Sequence, residues 1–242
     1  MKVFKQIRET IDRQPPGAIL ALEDFNLPME QLGALTKALS RLYKQGRLRR
    51  LVKGLYFKPV QGILGEINTP SYDQLLEKLL VLYKDKVSYL TGVQVYSSMS
   101  LTTQISNSFE IATDKPRSPV QIGSTCVRFV RSRVTEPVEN IFIVQLLDAI
   151  ADIKNIPATT PAKASRVLLG HLRRLTTEQR QELAKFAQVY PPQARALTGL
   201  LLETLAEKIL AKQLKASLNP LTTFDLTLDP TVFPTSSTWK IQ

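Results

Sequence analysis

TKALSRLYKQGRLRRLVKGLYFK, running from Thr36 to Lys58, holds eight Lys or Arg residues and no acidic one. Its pattern decides the fold. From Met29 to Gln45 the apolar residues Leu32, Leu35, Leu39, Leu42 and Tyr43 fall on one side of a helical wheel. Thr36, Lys37, Ser40, Arg41 and Lys44 fall on the other. Pro28 suits the first turn of this helix, where a missing N–H is no loss, and Gly46 stands where a left-handed cap ends one. Leu48 to Leu51 and Leu55 to Phe57 then read as two short strands, with Val52-Lys53-Gly54 turning between them. Helix, glycine stop and hairpin in that order are the layout of a winged helix-turn-helix.

Working outward, Val3, Phe4, Ile7 and Ile11 recur at three- and four-residue spacing and predict a first helix, ended by Pro15-Pro16-Gly17. Ala18 to Leu20 reads as extended and Leu22 to Phe25 as a brief helix. Downstream, the Pro- and Gly-rich stretch 59–70 is the expected domain boundary. Beyond it, Ser71 to Tyr83 reads as a helix, and Val87 to Leu90, Phe109 to Thr113 and Thr125 to Arg133 read as strands. Helices follow over Asn140 to Ile153, Lys163 to Leu175, Glu178 to Gln188 and, as one long element, Ala194 to Leu218. The tail from Asn219 to Gln242 reads as irregular or edge-like. The expected fold is α+β, with a winged helix-turn-helix over 1–60 and a mixed α/β domain ending in a helical bundle over 70–242.

Charge supports a polyanion partner for the first part. Residues 1–60 hold 12 Lys/Arg against 5 Asp/Glu, a balance of +7, and residues 61–242 hold 20 against 16, a balance of +4. In a major groove, Lys37 and Arg41 can donate to guanine, and the hydroxyls of Thr36 and Ser40 can contact bases or phosphate. Lys44, Arg47 and Arg49 lie beyond the groove-entering turns, nearer phosphate. Arg50 and Lys53 ride on the hairpin, and Lys58, which closes the basic stretch, is counted with them among the DNA-binding residues. The plain alternative is a solvated basic helix face; the helix, glycine and hairpin order argues against it.

Enzymatic readings are thin. His171 is the single histidine, which excludes most His-based zinc sites and disfavours a Ser-His-Asp triad; a helix-surface role is expected for it. Glu110, Asp114 and Lys115 lie close enough in sequence to suggest a metal-dependent nuclease, but Pro116 marks a strand end running into a turn. Gly62 to Gly65 lacks the spacing of a phosphate-binding loop. Cys126 has no partner for a disulfide within the chain and is expected to be buried. Arg128 is expected on one strand face and Arg131 and Arg133 on the other. No catalytic residue, metal or cofactor is expected. The absence of an apolar leader or a run near 18 apolar residues predicts a cytoplasmic protein without membrane association.

The run Ala38 to Tyr56 resembles the winged-helix signature of the AbiEi-type antitoxin and transcriptional-regulator family of bacteria. Thr91-Gly92 with Leu101-Thr102-Thr103-Gln104 is similar to that family's Thr-Gly and Gly-Leu-Thr segments. Arg195-Ala196-Leu197-Thr198-Gly199 is similar to its Arg-x-Leu-x-Gly helix start. One departure is Ser100, where the pattern has Gly. The resemblance implies a non-enzymatic repressor that binds double-stranded DNA at its own promoter and counteracts a nucleotidyltransferase-like toxin encoded beside it, the partners of a type IV toxin–antitoxin pair. It assigns DNA contact to Thr36, Lys37, Ser40, Arg41, Arg49, Arg50 and Lys53. A homo-oligomer is a possible state. The rival readings are a non-catalytic RNA- or protein-interaction module, for which Tyr56 is the one aromatic on the basic face to offer stacking, and the nuclease.

Overall fold

Alternation of buried and exposed residues begins at the first helix, α1 (Lys2–Arg13), where Ile7 and Ile11 are buried while Lys5, Arg8 and Glu9 face solvent. The computed structural model describes residues 2–62, 65–67 and 70–242. Of the expected linker 59–70, residues 63, 64, 68 and 69 lie outside them, as does the middle of the 62–65 segment weighed as a phosphate loop. The chain divides into two compact units, 1–84 with 119–127, and 85–118 with 128–242.

In the first unit, the turn after Pro15-Pro16 leads into β1 (Ile19–Ala21). Two 3-10 turns, Leu22–Phe25 and Met29–Gln31, precede α2 (Leu32–Lys44), so the helix expected from Met29 opens as a tighter turn. It closes in a Schellman motif. Gly46 has φ +73°, its N–H bonds Tyr43 O at 3.0 Å, and the Arg47 N–H reaches Leu42 O at 3.0 Å, which satisfies two end carbonyls. The hairpin β2 (Arg49–Val52) and β3 (Leu55–Phe57) turns at Gly54, φ +88°. The three strands form an antiparallel sheet in the order β1-β3-β2. Ile7, Ile11, Leu20, Phe25, Leu35, Leu39, Leu42 and Leu48 build its core.

A short antiparallel pair, β4 (Val60–Gly62) and β5 (Gly65–Ile67), leads to α3 (Tyr72–Leu82). That helix packs on β1, and Lys78 Nζ pairs with Asp24 Oδ2 at 3.0 Å. The contact division therefore falls after Lys84 and not within 59–70, because α3 returns to the sheet that precedes it.

The second unit holds β6 (Ser88–Thr91), α4 (Val93–Ser98) and β7 (Ser108–Thr113). Strands β8 (Val120–Ile122) and β9 (Thr125–Arg131) pair as a hairpin, of which residues 119–127, all of β8 and the start of β9, group with the first unit. The strand order is β6-β7-β9-β8. Five helices follow: α5 (Ile141–Ala151), α6 (Pro161–Arg173), α7 (Thr177–Ala187), α8 (Pro192–Thr204) and α9 (Lys208–Ala216). The single helix expected over Ala194 to Leu218 is thus two, broken where Ala206 takes φ +65° and the Glu207 N–H returns to Leu202 O. The tail is irregular, as expected, yet Phe224, Leu226, Phe233, Trp239 and Ile241 bury into the main core. Cys126 is half-buried, not buried, at the β8–β9 tip. No helix among the described residues is long and apolar enough to cross a membrane.

Candidate nucleic-acid interface

The inner side of α2 buries Leu35, Ala38, Leu39 and Leu42. Tyr43, assigned to that side by the wheel, is instead 45% exposed, and Ala38 takes the inward place. Thr36, Lys37, Ser40, Arg41 and Lys44 all face solvent. Within that set the side chains are not equivalent. Thr36 Oγ1 donates to Leu32 O at 2.9 Å, back along its own helix. The Arg41 guanidinium lies 5.8 Å from the centre of the Phe4 ring on α1, a cation–π approach that leans it toward that helix. Lys37, Ser40 and Lys44 form the outermost strip.

The later cations divide. Arg47 Nη2 pairs with Asp12 Oδ1 at 2.7 Å, so the acid-free stretch has an acidic neighbour supplied by α1. Lys58 Nζ donates to the carbonyls of Ile11, Asp12 and Gln14 at 3.0, 3.3 and 2.6 Å. It thereby caps the C-terminal end of α1, where a cation is favoured by the unsatisfied carbonyls. Lys58, counted with the DNA-contacting residues, thus has its ammonium on the carbonyls at the end of α1. On β2, Arg49 is half-buried and Arg50 exposed, the alternation a strand imposes. Lys53 is exposed at the hairpin turn. The structure so brings Lys37, Ser40 and Lys44 onto one helix face and leaves Arg50 and Lys53 outward on the hairpin, while Arg47 and Lys58 turn to α1.

Tyr56 is 4% exposed and offers no stacking surface. Of the nuclease trio, Glu110 and Lys115 have charged partners elsewhere: Arg128 Nη1 lies 3.6 Å from Glu110 Oε1, and Lys115 Nζ lies 3.3 Å from Asp85 Oδ1. Among the described residues no group of three His, Cys, Asp or Glu is arranged to hold a metal. His171 Nε2 meets Met99 O at 2.9 Å and its ring stands edge-on to Phe142, a brace between α6 and the end of α4.

Sequence reasoning missed a polar centre in the second unit. Asp148, in the middle of the apolar helix α5, is buried and accepts bonds from Thr91 Oγ1 at 2.8 Å, Tyr89 OH at 3.1 Å and Tyr190 OH at 2.8 Å, with Arg133 Nη1 at 3.3 Å. Burial pushes its carboxyl up, against the opposing pull of those donors. Burial also holds the hydroxyls of Tyr89, Tyr96 and Tyr190 protonated far above neutral pH. Four separated segments supply these residues; the lone Asp inside an apolar helix was the available signal.

Residues 6–159 match the family described as a family of unknown function, DUF6088, and the chain belongs to that family. No curated protein matches it. Among solved structures, the RV2827C protein from Mycobacterium tuberculosis aligns with a TM-score of 0.53 at 14% identity, over 94% of this chain and 86% of that one. At that identity the likeness is one of fold.

Proposed function

We propose that this protein is a DNA-binding transcriptional regulator, with α2 as the recognition helix of a winged helix-turn-helix and the β2–β3 hairpin as its wing. The observation that carries this reading is the outer strip Lys37, Ser40 and Lys44 on a helix docked by its opposite face, followed directly by a hairpin presenting Arg50 and Lys53. A helix held in this way can lie in a major groove while the hairpin cations meet phosphate. Binding at its own promoter, and action as the antitoxin of a type IV pair, rest on the resemblance of residues 38–56 to the AbiEi-type family.

Gel retardation of duplex DNA from the upstream region tests the interface. If about six cations meet phosphate, log K falls against log salt with a slope near −5. Lys37→Ala/Lys44→Ala and Arg50→Ala/Lys53→Ala are each expected to weaken binding about tenfold or more and to flatten the slope by about two. The control Lys208→Ala/Lys212→Ala on α9 leaves both unchanged. Wild-type affinity and slope in the first two variants would reject the interface. A second reading, an RNA-binding module, draws on exposed Tyr43 beside the strip; single-stranded RNA competing better than duplex DNA, and losing that advantage in Tyr43→Ala, would favour it.

A further inference from the structure

Beside the buried Asp148 lies a polar cavity of about 280 Å³, lined by Thr91, Glu110, Arg131, Arg133, Asp148 and Asp152 together with the small apolar surfaces of Ala112 and Val130. Most of its charges are matched internally. Arg133 pairs with Asp148 at 3.3 Å and Arg128 reaches Glu110 at 3.6 Å. Two are not. Asp152 accepts one bond, from the Tyr96 hydroxyl at 2.7 Å, and among the described residues no Lys or Arg pairs with it. Arg131, exposed at the end of β9, has no carboxylate partner among them either.

The position of Asp152 makes its lack of a cation costly. It caps the C-terminal end of α5, where the helix carbonyls already present a negative pole and a cation, not an acid, is favoured. Its charge also opposes ionisation of half-buried Glu110, whose carboxyl is raised first by burial and then by Asp152, against the pull of Arg128. A cationic group seated between Asp152 and Glu110 relieves both. Arg131, on the same cavity, supplies the opposite charge, and the two do not neutralise each other. The volume equals about nine waters, enough for a small molecule that carries both signs.

We infer that this cavity binds a small zwitterion of α-amino-acid type, its ammonium between Asp152 and Glu110 and its carboxylate on Arg131. Thr91, whose hydroxyl is committed to Asp148, lines the same cavity. The site lies within the second unit and is independent of the proposed DNA interface.

Thermal denaturation and titration calorimetry of the full chain with each of the twenty common L-amino acids test this. At least one is expected to raise the melting temperature and to bind, while ethylamine and propionate, which carry one charge each, do not. Arg131→Gln and Asp152→Asn are each expected to weaken the amino acid about tenfold or more. Arg131 is exposed on a strand end, so its variant keeps the fold even if Asp152→Asn does not. The proposal is overturned if no amino acid binds, if ethylamine or propionate binds equally well, or if Arg131→Gln binds as the wild type does.

Discussion

Ser100 sits at the end of α4 with φ +60°, its N–H on Ser97 O, while the Leu101 N–H reaches back to Tyr96 O at 2.8 Å. This is the Schellman geometry that Gly46 adopts at the end of α2, built here on a residue with a Cβ. A side chain in that left-handed region costs about 1–2 kcal/mol, partly offset because glycine loosens the unfolded chain. Ser100→Gly is therefore expected to stabilise the protein by about 0.5 kcal/mol, read as a higher urea midpoint at unchanged slope; a lower midpoint would contradict the account. The departure from the resembled Gly-Leu-Thr pattern is thus a substitution at a backbone position, with no chemistry attached to it. Thr102, next along, donates to Pro157 O at 2.6 Å and is likewise structural.

At the level of elements, the Arg-x-Leu-x-Gly run that opens α8 acts by packing. Arg195 Nη1 bonds Ser217 O at 2.8 Å and so closes the end of α9, Leu197 is buried, and Gly199 lies under Trp239. A Cβ at Gly199 would stand 2.2 Å from Trp239 Cη2, inside contact distance. Gly199→Ala is expected to cost about 1–3 kcal/mol, the usual price of overpacking, and to lower the melting temperature accordingly; an unshifted melt would show the ring to be displaceable. Legibility in the sequence followed the same physics. The α2 stop and the hairpin turn were readable because Gly46 and Gly54 occupy positive φ. The break between α8 and α9 was not, since Ala206 adopts φ +65° without a Gly or Pro to announce it. Helix α4, six residues long, is too short for a periodicity. The partners of Arg47 and Lys58 were hidden as well, because Asp12 and the α1 carbonyls lie more than thirty residues upstream. The zwitterion cavity draws on β6, β7, the end of β9 and α5, a juxtaposition that no local pattern encodes.

For the molecule as a whole, Asp148 sets a pH dependence. Its folded carboxyl is raised by burial above its unfolded value, so the protonated form favours folding. Its contribution is greatest below the unfolded pKa, about 4, and declines as pH rises through the folded value. Comparing Asp148→Asn with wild type across pH 4 to 8 by urea unfolding, the advantage of the wild type is expected to be largest at the acid end and to shrink upward; a gap that widens with pH would reverse the sign. Asp85 has the opposite tendency. Burial would raise it, but Arg117 and Lys115 override that and hold it low, so its contribution is lost as pH falls through its folded value. The two units also differ optically. Trp239 is the sole tryptophan of the chain, 1% exposed, with Nε1 donating to Glu203 Oε2 at 2.7 Å. Its emission is consequently a built-in gauge of the seam between α8 and the tail, blue while the seam is shut and red once it opens, and the basic helix has no indole of its own to blur the signal.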